Sequence, residues 1–277
     1  MAQNLQLLRR RIKTAKNIAQ VARSMEMISA SKIKKAQTAV ENNKPYAERI
    51  MNLSASILKN IDRDKFKHPY VDGNDSDKTL LIVISSDKGL CGSLNTNLTR
   101  KLLELDARNQ KVFVIGKKVF QSAARLDSEY LGGINIGTVL PPYSMVYQII
   151  ELINQEYLSG KAGSVKILVN RFNSIFSQEP TIRTLLPIEV KPDEVELPYI
   201  FEPASNEIIA DLLPFYLEAL IYNSLLEAYT SEQAARMVAM QNAKNNAFDI
   251  ADYLTLSYNK QRQEKITSEL LTLSNNV

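Results

Sequence analysis

Residues 215–277 read FYLEALIYNSLLEAYTSEQAARMVAMQNAKNNAFDIADYLTLSYNKQRQEKITSELLTLSNNV, a stretch that contains neither glycine nor proline. Proline breaks a helix through its missing N–H and its ring, and glycine weakens one through backbone entropy. Their joint absence over this length predicts uninterrupted helix from Phe215 onward. At 1.5 Å per residue such a helix reaches roughly 95 Å, several times the usual globular length, and it needs a partner helix to cover its apolar face. The partner is at the other end of the chain. All nine glycines lie between Gly73 and Gly163 and all ten prolines between Pro45 and Pro214, so Met1 to Lys44 lacks both breakers as well.

The apolar spacing agrees. Leu5, Leu8, Ile12, Ala15, Ala19 and Ala22 follow a 3,4 alternation, as do Met240, Ala243, Ala247, Ile250 and Leu254, which is the pattern of a coiled-coil seam. Many of these residues are alanine, so the helices can approach closely while burying little apolar area. If both helices project from the same side of what lies between them, they run antiparallel, and the tip near Ile266 to Leu273 stands beyond the end of the N-terminal helix.

Between the helices, Thr79 to Ser85 (TLLIVIS) is a continuous apolar run typical of a buried parallel strand. A glycine-containing turn and a helical pattern from Leu94 to Arg108 follow it. Val112 to Ile115 (VFVI) then precedes a short helix from Lys117, Ser144 to Leu158 reads as a helix, and Val165 to Asn170 and Thr181 to Val190 read as strands. Strands alternating with helices imply a mostly parallel sheet covered on both faces. The expected fold is therefore α/β, a long antiparallel coiled coil of N- and C-terminal helices plus a Rossmann-like domain with a mostly parallel sheet. Its parts are a helix over 1–59, an α/β domain over 78–190, a linker over 191–205 that includes the proline-rich, acidic Lys191 to Pro203, and a helix over 206–277.

Charge is distributed unevenly. Met1 to Lys59 carries 12 Lys/Arg against 3 Glu, whereas the formal net charge of the whole chain is only +4. The remainder is therefore net acidic, and the basic helix could face nucleic acid, anionic lipid or an acidic protein surface. No run of about 18 uninterrupted apolar residues occurs, and the basic N-terminus (Arg9, Arg10, Arg11) has no apolar segment behind it. Neither a membrane span nor a secretion signal is expected. Cys91 is the single cysteine and His68 the single histidine, which excludes an internal disulfide and a Cys/His zinc set and fits a reducing compartment.

The segment SSDKGLCGSLN (Ser85 to Asn95) joins a strand to a helix, where a glycine-rich turn can hold phosphate on backbone N–H groups. It matches neither GxGxxG nor GxxxxGK[ST], so a tight structural turn is the favoured reading. Cys91 has no neighbouring base and reads as a small buried residue. No carboxylate pair suggests acid–base catalysis. Met25, Met27 and Ile28 read as seam residues, and the polar Asn259 to Leu270 as an exposed face.

Four segments, SMEMISASK (Ser24 to Lys32), SSDKGLCGSLN, SEQAARMVAMQNAKNNA (Ser231 to Ala247) and NKQRQEKITSEL (Asn259 to Leu270), resemble the signature segments of the gamma-subunit family of F-type ATP synthases, in order and in spacing. The resemblance covers nearly the whole chain. It implies a non-catalytic rotor shaft without cofactor or metal. The coiled coil would sit in the cavity of an alpha–beta hexamer, with the α/β domain below it against epsilon and the membrane c-ring. It implies peripheral association with a bacterial cell membrane, through the complex, on the cytoplasmic side. Carried over residue by residue, Arg262, Gln263, Thr267 and Glu269 match shaft positions that contact a beta-subunit loop, and Met25 matches one facing the acidic lever of beta. The turn near Phe215 to Tyr222 resembles the foot that meets the c-ring, through Tyr216, Glu218 and Tyr222. The extra cysteine pair of the chloroplast version is missing, so its thiol switch is not expected.

Two other classes compete with this reading. One is an enzyme or small-molecule binder on the α/β domain, which tight nucleotide binding by the isolated chain would favour. The other is a nucleic-acid-binding coiled coil, which the absence of aromatic interleaving in the basic helix disfavours and a strongly salt-dependent affinity for DNA would support.

Overall fold

A computed structural model describes residues 2–60, 66–106, 108–188 and 205–274. In chain order the elements are α1 (Ala2–Asn60), α2 (Pro69–Asp72), β1 (Thr79–Ile84), α3 (Leu94–Leu103), β2 (Gln110–Ile115), α4 (Phe120–Ala123), β3 (Glu129–Ile134), α5 (Ser144–Tyr157), β4 (Ser164–Phe172), β5 (Gln178–Leu186) and α6 (Ser205–Ser274). Contacts divide the chain into two compact units, Met1–Ser31 with Arg236–Val277, and Lys32–Ala235. Both long helices contribute to each.

The unit Lys32–Ala235 is built on a five-stranded sheet of order β3-β2-β1-β4-β5, parallel except for β5, which runs antiparallel to β4. Strand β1 shows why TLLIVI carries no polar residue after Thr79. Leu80, Ile82 and Ile84 point into one core with residues of α1, α5 and α6, while Leu81 and Val83 point into a second with α3 and α4. A strand covered on both faces needs apolar residues at every position. From α6 the first core receives Ile209, Leu213, Leu217, Ile221 and Leu225, all fully buried. That fourfold spacing lays one ridge of the helix along the sheet. By length and composition α6 could also cross a bilayer, but these apolar positions are occupied by the sheet.

Both helices are longer than the distribution of breakers predicts, with Pro45 inside α1 and Pro214 inside α6. An interior proline costs about 3 kcal/mol. Around Pro214, Leu213 and Leu217 are fully buried, each worth about 1.5–3 kcal/mol, so tertiary packing outweighs the local penalty. As a result Phe215 to Tyr222 is helix interior, as its lack of glycine and proline predicts, and not the turn that the family resemblance suggested. Strand β3 (EYLGGI) was not foreseen, because its two glycines lower strand propensity. Strand β5 begins and ends earlier than Thr181 to Val190, and α3 stops at Leu103, short of Arg108. His68 caps α2 by accepting a hydrogen bond from the Tyr70 N–H at 3.2 Å. Lys191 to Pro203, and with it the predicted linker up to Ser205, lies outside the described residues.

In the unit Met1–Ser31 with Arg236–Val277, the helices pack antiparallel. Glu26 meets Lys244 at 2.8 Å, and residues 10–18 share a groove with residues 243–254. The buried seam is Leu8, Ala15, Ala19, Ala22 and Ser29 on α1 and Met240, Ala247 and Ala251 on α6. Ile250, assigned to the seam from its spacing, is 53% exposed, and Ala251 takes its place. Counting either three or four from Ala247 satisfies the periodicity, and close helix approach selects the smaller side chain.

Candidate functional site

Apart from Leu8 and Met240, the alanine-rich seam leaves many large apolar side chains of the coiled-coil unit outside it. Met27 is 65% exposed, Tyr253 70% and Leu256 71%, and Ile18, Val21, Ile28 and Ile266 are exposed as well. Met27 and Ile28 are therefore not seam residues, contrary to the reading from spacing. Ser29 is buried at that level instead. Met25 is half-buried, one residue from the Glu26–Lys244 ion pair. Between Ala15 and Ala247 the small side chains leave an apolar groove of about 560 Å³, rimmed by Arg10 and Arg11. The groove joins exposed Ile18 to exposed Ile250, and apolar surface gathered in this way marks an interaction surface.

Of the tip candidates, Arg262, Gln263 and Thr267 are exposed on α6. Thr267 Oγ1 donates to the Gln263 carbonyl at 3.0 Å, a local helix bond that leaves the Gln263 amide for other partners. Glu269 also lies on α6, and its side chain is outside those described. The sequence identified these polar positions. It did not identify the exposed apolar ones, whose only signal is that they fall between seam positions.

The three foot candidates lie in the unit Lys32–Ala235 and are half-buried. Tyr216 packs against the main core. Glu218 accepts a hydrogen bond from Tyr143 Oη at 2.8 Å, and the Tyr143 ring lies 4.9 Å from that of Tyr222. Burial, together with the Glu218 carboxylate, raises the Tyr143 phenol far above its ordinary range. The structure thus gathers Glu218 and Tyr222 around a tyrosine that the sequence reading did not single out. Tyr216 does not take part in that cluster.

The Ser85 to Asn95 segment folds as a braced turn. Asp87 Oδ1 accepts from the Lys117 N–H at 3.0 Å and Oδ2 from the Gly137 N–H at 2.7 Å, so one carboxylate ties together the loops that follow β1, β2 and β3. Gly116 in this cluster has φ +95°, and a Cβ there would lie 2.1 Å from the Ser85 carbonyl oxygen, so only glycine fits. Cys91 is buried, and Asn95 Nδ2 donates to its sulfur at 3.1 Å. An open groove of about 640 Å³ lies beside Asp87, lined also by Lys117, Lys118, Phe120 and Asn135. No histidine or thiol lines it, and among the described residues no group of three His, Cys, Asp or Glu is placed to hold a metal.

Comparison with known proteins places this geometry in context. A family model described as ATP synthase matches residues 4–274. The chain is 36% identical over 278 residues to the ATP synthase gamma chain of Brevibacillus brevis, covering 98% of this chain and 96% of the relative. It is 37% identical, with the same coverage, to that of Dehalococcoides mccartyi. Among solved structures it resembles a chain of the Euglena gracilis mitochondrial ATP synthase, OSCP/F1/c-ring, in rotational state 3. That match has a TM-score of 0.72 and 20% identity and covers all of this chain and 94% of the other. A chain of the Tetrahymena thermophila mitochondrial ATP synthase central stalk and c-ring matches with a TM-score of 0.60 and 22% identity, covering 80% and 99%.

Proposed function

The chain belongs to the ATP synthase gamma-chain family, and on that premise we propose how its two units divide the work of a rotor. It is the central stalk of an F-type ATP synthase, coupling ion-driven rotation of the c-ring to conformational change at the catalytic sites of beta, and it carries no catalytic site of its own. Its partners are alpha, beta, epsilon and the c-ring, in a membrane-associated complex. The cytoplasmic face of a bacterial cell membrane is the location we propose.

The observation that carries the mechanism is the outward-facing surface of the coiled coil, with large apolar and a few polar side chains displayed around an alanine seam. Such a shaft is asymmetric, so three chemically identical beta subunits meet three different faces of it. Each is biased toward a different conformation and nucleotide affinity, and rotation exchanges those biases. A ligand shifts an equilibrium only by its differential affinity for the two states, so contacts must differ from face to face. A charge-assisted hydrogen bond is worth about 1.5–3 kcal/mol and has to break at every step, which favours few of them. Arg262, Gln263, Thr267 and Glu269 are proposed to hold a beta loop at one rotor angle, and Met25 to face the acidic lever of beta. Tyr216, Glu218 and Tyr222 are proposed to support the contact with the c-ring, Glu218 through its bond to Tyr143.

The test is reconstitution. The isolated chain should hydrolyse no ATP, and added to alpha and beta it should yield an active complex from which all three co-purify. Turnover by the chain alone, abolished by Lys88→Ala or Cys91→Ser, would overturn the reading.

A further inference from the structure

We infer that His68 is an acid-operated latch, which as a neutral ring closes the turn that ties the exit of β5 to the approach to β1 and on protonation releases it. This does not depend on the rotor reading. The turn is α2, Pro69–Asp72, which at four residues is too short to hold by its own backbone bonds, because the first hydrogen-bonded turn of a helix is costly to form. Two reciprocal bonds close it. His68 Nδ1 accepts from the Tyr70 N–H at 3.2 Å, and Asp72 Oδ2 accepts from the His68 N–H at 2.8 Å. The half-buried imidazole also lies parallel to the Phe66 ring at 6.1 Å and meets the Tyr70 ring edge-on at 5.1 Å.

Parts of the chain distant in sequence meet on this turn. The Tyr70 carbonyl accepts from the N–H of Ile188, just past the end of β5, at 2.7 Å, and the Pro69 carbonyl accepts from Tyr157 Oη of α5 at 2.9 Å. Tyr70 is buried in the main core, and its hydroxyl donates to Asn154 Oδ1. The cap of the turn is the single histidine of the chain. A ring nitrogen that accepts an N–H carries no proton, whereas an imidazolium offers only donors. Protonation of Nδ1 therefore sets two N–H groups against each other and removes the cap. Among the described residues, the titratable groups facing the ring are Asp72 and Tyr70 of α2 and, behind Tyr70, Tyr157 of α5. Burial pushes both phenols up, so they stay neutral. Asp72 favours the charged ring, but burial opposes it more strongly and holds His68 below its ordinary value of about 6.5. The cap is thus complete above the unfolded value of about 6.5 and is lost as pH falls through the lower folded value.

Amide hydrogen exchange of the full-length chain, resolved by NMR and expressed as protection factors so that the intrinsic pH dependence cancels, reads the latch at Tyr70 and Ile188. From pH 8 to pH 5 both amides should lose about fivefold in protection, the worth of one helix cap, while the amides of β1 keep theirs. His68→Asn places at the same position a capping oxygen that does not titrate, and it should hold both amides level across this range. His68→Ala should show the low protection already at pH 8, and should it fail to fold, the parent and His68→Asn decide between them. The ring of His68 should titrate with a midpoint below about 6.5. Protection that is independent of pH in the parent, an equal fall in His68→Asn, or a midpoint above the ordinary histidine value would each overturn the inference.

Discussion

The two halves of α6 are one continuous helix in contrasting surroundings. From Ile209 to Ala234 it lies in the sheet-bearing unit, where Leu213, Leu217, Ile221 and Leu225 are fully buried and even Ser231, Glu232 and Gln233 are shielded from solvent. From Met237 onward burial falls on Met240, Ala247 and Ala251, while Ile250, Tyr253 and Leu256 face outward. A leucine left exposed forgoes about 1.5–3 kcal/mol of burial, so the second half is poorly explained as a contributor to the stability of the chain. It is well explained as a surface that other subunits cover. The first half holds the fold, and the second is shaped by what it touches.

The largest effect should come from truncating the first half. Leu217→Ala should cost about 2–5 kcal/mol and lower the thermal midpoint by roughly 5–15 °C, whereas Leu256→Ala should stay within about 0.5 kcal/mol. Equal shifts in the melting curves would dissolve the contrast. Next comes the ion network of the sheet-bearing unit, in which Lys111 Nζ meets Glu156 at 2.6 Å and Glu129 at 3.1 Å. Lys111 and Glu156 are buried while Glu129 is half exposed, so Lys111→Met should cost about 3 kcal/mol, the low end for a broken buried pair. Burial pulls the Lys111 ammonium down, but its hydrogen bonds and charge pairing with Glu156 and Glu129 outweigh that and leave its pKa raised. Its contribution is thus complete below the unfolded value of about 10.4 and is lost as pH rises through the higher folded value. Urea unfolding at pH 8 and at pH 11 should show this alkaline loss in the parent chain and a smaller one in Lys111→Met.

A smaller effect is expected in the coiled coil. Glu26→Gln removes one partner of the 2.8 Å pair with Lys244, whose side chains are about one-fifth exposed, and should cost about 0.5–1 kcal/mol. A double-mutant cycle with Lys244→Met measures the coupling. A value near that of the Lys111 network would mean that the two units are held together alike. Smaller still is the expected response to redox agents: Cys91→Ser should leave activity of the assembled complex unchanged under oxidant or reductant, because a single buried thiol closes no internal disulfide.

The two halves also differed in how far the sequence revealed them. The absence of glycine and proline exposed both long helices, and TLLIVI exposed the central strand, because these signals are local. The breaker-free stretches alone stop at Pro45 and Pro214, whereas the expected helices over 1–59 and 206–277 already ran through both prolines, as α1 and α6 do. Gly132 and Gly133 concealed β3, whose place depends on pairing with β2. At the candidate sites, the polar tip positions are proposed from family resemblance, and their exposure was legible in the polar run Asn259 to Leu270. Exposed Tyr253 and Leu256 were not, because periodicity reports which residues repeat and leaves open which face of the repeat meets the partner helix. Asp87 was legible as part of a motif, but its two backbone bonds join loops distant in sequence.

The central claim is that the exposed surface of the coiled coil serves coupling and contributes little to stability. Membranes carrying the assembled complex with Arg262→Ala and Gln263→Leu test it most directly, through ATP synthesis and ATP-driven ion pumping, with thermal melting of the isolated chain alongside. Both activities should fall while the melting temperature stays within the shift expected for about 0.5 kcal/mol. Normal synthesis and pumping in the double variant would contradict the account, and so would loss of both together with a much lower melting temperature.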